Sequence, residues 1–100
     1  MGEKNMEKKP TYVNFFWHMH QPFYKHPAKN YYVLPWVRLH GVKDYYGMAR
    51  VIEKFERVRV TFNFSGVLLD QLSDYVHNNA KDYYLMLTLK NPLFLTKAEK

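Results

Sequence analysis

The chain has 100 residues, with 15 Lys and Arg against 9 Asp and Glu, five His and no Cys, for a formal net charge of +6. Apolar residues make up 47% and aromatics 18%, enough surface to bury to exclude a disordered, collagen-like or low-complexity chain. The lack of cysteine excludes a disulfide scaffold and thiolate chemistry, and no apolar run approaches the ~20 residues a membrane span requires.

Residues 1–10 are charged and mixed in sign with no apolar stretch behind them, unlike a signal peptide. Together with the missing cysteines this points to a reducing, cytoplasmic setting and no membrane partner. We read residues 1–11 as a mobile leader. Residues 12–17 (YVNFFW) are β-branched and aromatic, which predicts a buried strand. Residues 18–43 follow without regular period and contain Pro22, Pro27, Pro35 and Gly41; they read as a long ordered loop of the kind that carries function.

From Asp44 the period becomes helical, with Tyr45, Met48, Ala49, Ile52 and Phe55 on one face and Asp44 near the N-cap. Residues 58–64 (VRVTFNF) alternate, placing Val58, Val60, Phe62 and Phe64 opposite Arg59, Thr61 and Asn63. Ser65 is then positioned to cap a helix whose apolar face is Leu68, Leu69, Leu72, Tyr75 and Val76, ending at His77, Asn78 and Asn79. On that helix Asp70 and Asp74 read as a solvated face. Residues 80–90 predict a further short helix, and Thr96 with Glu99 has the spacing of a capping box. Strand–helix–strand alternation predicts an α/β fold with parallel strands.

The basic charges are scattered in pairs (Lys8 and Lys9, Lys25 and Lys29, Arg38 and Lys43, Arg57 and Arg59) with no nucleic-acid-binding signature, so nucleic acid is not expected as a partner. The chemistry concentrates elsewhere. Four of the five histidines lie between residues 18 and 40, and the densest cluster is Trp17-His18-Met19-His20-Gln21-Pro22. Loops after the C-termini of parallel strands form the ligand sites of α/β proteins. Strand parity puts Asn14, Phe16, His18 and His20 on one face and Val13, Phe15, Trp17 and Met19 on the other. If the second set packs on helices, the histidines face the ligand side, where Thr61 and Asn63 would join them. Two such histidines reach one ligand or metal, or simply bond to nearby polar groups. A metal site lacks the acidic ligands it would need near the first strand, so no metal or other cofactor is expected.

These residues, followed by Leu34-Pro35-Trp36-Val37-Arg38-Leu39-His40-Gly41-Val42-Lys43-Asp44-Tyr45-Tyr46, by Val60-Thr61-Phe62-Asn63-Phe64 and by Leu68-Leu69-Asp70-Gln71-Leu72, resemble the start of glycoside hydrolase family 57. The His-Gln-Pro triplet resembles the family's first signature region. The resemblance departs at Ser65-Gly66, where the family pattern has valine and proline.

The resemblance implies retaining enzymes acting on α-glucans: α-amylases, amylopullulanases, 4-α-glucanotransferases and branching enzymes. The implied fold is an incomplete (β/α)7 barrel, of which residues 12–100 would be an N-terminal, truncated part holding the first two βα units. The implied catalytic Glu and Asp belong to later strands and have no counterpart here. Retaining chemistry needs two carboxyl groups about 5–5.5 Å apart, and the acids between residues 44 and 74 fall on predicted helices.

What the resemblance carries over is sugar binding. His20 would contact the glucosyl unit near the cleavage point, with His18 and Gln21 beside it. Trp36 would stack on a pyranose or anchor the loop on the barrel rim. His40 would donate to hydroxyls, and Asn63 would bond a hydroxyl or hold a structural polar contact. Arg38 reads as a structural ion pair, and Tyr31, Tyr32, Tyr45 and Tyr46 as packing. A small basic module that binds glucan or nucleic acid without catalysis is the alternative reading.

Overall fold

The computed structural model describes residues 6–100. Strand β1 (Phe15–Met19) pairs in parallel with β2 (Val60–Phe64), in a register that sets Phe15 opposite Val60 and Met19 opposite Phe64. Between them run α1 (Trp36–His40), a π-helical turn (Gly41–Tyr45) and α2 (Tyr46–Ile52); after β2 come α3 (Gly66–His77) and α4 (Tyr83–Leu89). The molecule is thus a mixed helix–strand structure around a two-stranded parallel sheet, as the alternation of periods predicts.

The boundaries differ from the sequence expectation for identifiable reasons. The first strand begins at Phe15 rather than at residue 12, because the ladder extends only as far as β2 supplies a partner, and β2 begins at Val60 rather than residue 58. Of the expected leader, residues 1–5 lie outside the described residues, and residues 6–14 are exposed without regular structure. The loop is shorter than predicted. It ends at Pro35, and the residues expected to be its second half, Trp36 and His40 among them, are helical. Asp44 accordingly sits inside a continuous helical segment and caps nothing.

Residues 20–35 are ordered by backbone pairing, with Val33 N–H donating to the Tyr24 carbonyl at 2.8 Å. Tyr32 N–H donates to the Lys81 carbonyl at 2.9 Å, and Tyr83 N–H to the Tyr32 carbonyl at 2.8 Å. The loop is thereby tied to the entry of α4, and its backbone groups find partners that a free loop would find in water.

The core lies between one face of the sheet and the helices. Met19, Val37 and Leu68 are its buried residues, and Tyr24, Tyr45, Met48, Phe62, Leu72 and Tyr75 pack against them. The predicted strand parity holds for Met19 and Phe62, with Trp17 edge-on to Phe62 at 5.2 Å. The π-helical turn approaches α3 closely at Gly41: a Cβ there would meet Leu72 Cδ2 at 3.2 Å, so the absence of a side chain permits the contact.

Helix faces are narrower than the periodicity suggested. On α3, Leu68, Leu72 and Tyr75 turn inward while Leu69 and Val76 are exposed, and the fully buried polar Gln71 takes the remaining inward position. In the earlier helix, Tyr45, Met48 and Ile52 are partly buried, Ala49 is exposed, and Phe55 lies past the helix end in an exposed turn. Among the described residues both strands of the sheet are edges, and only its helix-facing side is covered.

Ser65 caps α3 as predicted, its Oγ accepting from Leu68 N–H at 3.3 Å. Asn79, at φ 53°, takes the left-handed conformation just beyond the helix, which asparagine tolerates better than most residues. Asp82 caps α4 by accepting from Leu85 N–H at 2.8 Å. At the C-terminal end, Glu99 accepts from Thr96 N–H at 2.8 Å, half of the expected capping box, over a turn and not a helix.

Two carboxylates organise the interior. Asp82 is fully buried and takes two bonds from Arg38, from Nε at 2.5 Å and Nη2 at 3.2 Å, as well as one from the Tyr75 hydroxyl at 3.3 Å. Arg38 is therefore the structural ion pair that was expected. Burial would raise the Asp82 pKa; the bonds from Arg38, Leu85 N–H and Tyr75 outweigh it and leave it lowered.

Asp74 overturns the expectation of a solvated face. It accepts from Lys25 Nζ at 2.9 Å, Tyr32 Oη at 2.8 Å and Asn78 Nδ2 at 2.9 Å. Those bonds, Lys25 first, pull its pKa from 3.8 to about 2. A carboxyl group more acidic in the folded than in the unfolded chain stabilises the fold above its unfolded pKa and loses that contribution as pH falls through its folded pKa. We expect about 2 kcal/mol to be lost between about pH 4 and about pH 2. Unfolding midpoints measured across that range should show it, and Asp74→Asn should flatten the slope; an equally steep slope in that variant would refute the assignment.

Candidate functional site

The candidate site lies at the C-terminal end of β1. His18 lies opposite Asn63 in the parallel register, and the pairing is continued by the side chains: His18 Nδ1 meets Asn63 Oδ1 at 2.6 Å. Two residues further along each strand, His20 Nδ1 meets Ser65 Oγ at 2.8 Å. The two imidazoles are stacked, with ring centroids 6.2 Å apart and planes within 9°. That spacing is close to the ~6.6 Å rise of two residues along a strand, so the ladder itself sets the distance between the rings. Both histidines are exposed on the side of the sheet away from the helices.

Gln21 turns back toward the helices. Its Nε2 donates to Tyr45 Oη at 3.1 Å, and its Oε1 accepts from Tyr24 Oη at 2.9 Å. Burial, followed by the nearby Tyr45, raises the Tyr24 pKa and keeps that hydroxyl a donor. Just beyond, Gln71 holds the loop: its Oε1 accepts from Tyr24 N–H at 3.0 Å and its Nε2 donates to the Pro22 carbonyl at 2.9 Å. The segment following His20 is thus pinned at three successive places by buried or half-buried amides and phenols.

Trp36, His40 and Asp44 form a second group, brought onto one side by helical spacing. Trp36 is 43% exposed, and its ring lies 6.3 Å from that of His40. His40 Nδ1 contacts Asp44 Oδ2 at 2.5 Å; because a carboxylate accepts, the imidazole donates there and its Nε2 points outward. These residues line an open depression of about 450 Å³ with Leu39, Val42 and Lys43. Local π-helical turns recur at functional positions in helices, and this one spans the stretch just after His40.

Tyr45 joins the two groups. Its ring is 6.2 Å from His40 and 6.3 Å from Phe64, and its hydroxyl takes the Gln21 bond. The structure therefore sets His18, His20 and Asn63 together, puts Gln21 on the adjoining loop, and connects Trp36 and His40 through Tyr45. Three contributors escaped the sequence reading. The sequence announces Ser65 only as a cap, Tyr45 only as packing, and Asp44 only as a helix start. The signal for Ser65 was its offset from Asn63, which repeats that of His20 from His18; for Asp44 it was the four-residue step from His40.

Of the carboxylates among the described residues, Asp44, Glu53, Asp74, Asp82 and Glu99 are each held by a histidine or a cation. Glu99 is drawn below its ordinary pKa first by the Thr96 N–H and then by Lys90. No helix among the described residues is long and apolar enough to cross a membrane.

The parallel strand pair thus carries, at its C-terminal end, a histidine pair held by an amide and a hydroxyl, a polar face at the position where parallel α/β proteins place their ligand sites. The chain belongs to glycosyl hydrolase family 57, whose model matches residues 14–96. That span includes every candidate site residue, and it makes carbohydrate the substrate class. Comparisons with curated proteins and with solved structures gave no match.

Proposed function

We propose that the chain supplies the first two βα units of an incomplete (β/α)7 barrel in a retaining α-glucan hydrolase or transglycosylase, and that these units bind sugar while the catalytic Glu and Asp stand on other strands. The observation that carries this reading is the pair of stacked imidazoles at the end of β1, each held by a residue of β2. Polar groups fixed in direction by such partners recognise hydroxyls with little loss of side-chain freedom on binding. The depression beside Trp36 offers an aromatic face and the His40 edge to a further ring of the same glucan.

The open face of the sheet supports the barrel part of the reading. Phe16 is exposed on the face away from the helices, Phe15 and Phe64 remain exposed on the other face, and among the described residues both strands have a free edge. Parallel strands ordinarily have both faces covered and both neighbours present.

Titration with maltotetraose, followed by calorimetry, tests the site. We expect binding to weaken by about tenfold in His20→Ala, the loss of one well-placed hydrogen bond. The chain by itself is expected to show no glucan hydrolysis or transfer. Unchanged affinity in the variant would refute the binding role, and hydrolysis abolished by His20→Ala would refute the placement of the carboxylates on other strands.

A further inference from the structure

We propose that Asn63 and Ser65 are positioning residues that hold His18 and His20 in opposite neutral tautomers, so that the paired rings present one hydrogen-bond acceptor and one donor. Asn63 meets His18 Nδ1 with its carbonyl oxygen, which only accepts, so the proton of the neutral His18 ring is on Nδ1 and its Nε2 carries a lone pair. Ser65 Oγ accepts the Leu68 N–H at 3.3 Å and has one proton to give, for which His20 Nδ1, at 2.8 Å, is the hydrogen-bonded acceptor among the described residues. Donation by Ser65 leaves His20 with its proton on Nε2.

The rings are nearly parallel and 6.2 Å apart, so an accepting and a donating edge stand side by side. Each sugar hydroxyl gives one proton and accepts others. A polyol can therefore give a proton to His18 and take one from His20, whereas an anion finds a lone pair facing it at His18. The same arrangement disfavours chelation of a cation by both rings, since His20 offers it no lone pair. This inference rests on the sugar-binding reading for its use and on the hydrogen bonds alone for its geometry. It also assigns a role to Ser65, the position at which the sequence leaves the family pattern.

The test separates the two. Long-range proton–nitrogen correlation spectra of the nitrogen-labelled full chain, recorded above the imidazole titration range, report which ring nitrogen carries the proton. We expect Nδ1–H on His18 and Nε2–H on His20. Ser65→Asp keeps a helix cap but only accepts, so His20 should switch to Nδ1–H while His18 is unchanged; Ser65→Thr should leave both as they are. The same tautomer on both rings of the unaltered chain, or no switch in Ser65→Asp, would overturn the proposal. Maltotetraose should shift the Nε2 signals of both rings and bind about tenfold more weakly to Ser65→Asp than to Ser65→Thr. Fixed opposite tautomers with no response to the sugar would sustain the positioning role and count against the glucan reading instead.

Discussion

Replacing Asp82 with alanine should destabilise the chain by about 3 to 5 kcal/mol, the usual consequence of removing one member of a buried ion pair. Asp82 is fully buried and is the meeting point of three elements: Arg38 from α1, Tyr75 from α3 and the first turn of α4 through Leu85 N–H. Its removal leaves the guanidinium partly buried without a counter-charge and uncaps α4. Tyr75, whose pKa is pushed up first by burial and then by Asp82, loses the acceptor for its hydroxyl. Urea unfolding should show a lower midpoint with an unchanged slope. Combining Asp82→Leu with Arg38→Met should recover the part of the loss that comes from the unpaired charge, because two apolar side chains leave no charge unpaired, while the lost α4 cap and Tyr75 acceptor remain. A loss below about 1 kcal/mol in Asp82→Ala, a value typical of a surface pair, would refute the buried-pair account.

A loss of about 2 to 3 kcal/mol is expected for Gln71→Leu, although leucine is close to glutamine in volume. Gln71 has no exposed surface, and its amide satisfies Tyr24 N–H, the Pro22 carbonyl and the Val67 carbonyl together. Leucine keeps the packing against the core and strands the Tyr24 donor. The cost should be accompanied by loosening of the segment after His20, seen as faster amide hydrogen exchange at Tyr24 and at Val33, whose N–H bonds the Tyr24 carbonyl. Unchanged exchange there would show that the backbone pairing around Tyr24 holds the loop without Gln71.

Much of the fold was legible because it follows from local rules. The alternation in residues 60–64, the Ser65 cap and the helix end at His77 each depend on side chains within a few residues of one another. The long loop was misjudged for the opposite reason. Residues 36–43 lack a clean helical period, since Trp36 and Val42 are exposed while Val37 is buried and Gly41 is packed against Leu72. Contact with α3, and not a regular apolar stripe, makes that stretch helical. Asp74 was misread likewise: nothing near it in sequence announces Lys25 and Tyr32, which arrive from more than forty residues away.

The candidate site divides along the same line. That histidines at positions 18 and 20 share a face, and that Asn63 is on a polar face of a second strand, are consequences of a two-residue strand period and were fixed by the sequence alone. Register is a different matter. Only the pairing of β1 with β2 decides that Asn63 stands against His18 and Ser65 against His20, because a one-residue slip would turn every side chain of one strand to the other face. The tertiary structure likewise brought Tyr45 between Gln21 and His40. Amino-acid order determined which groups are available for chemistry; long-range packing decided which of them meet, since contacts between distant residues depend on how whole faces are buried and not on neighbours along the chain.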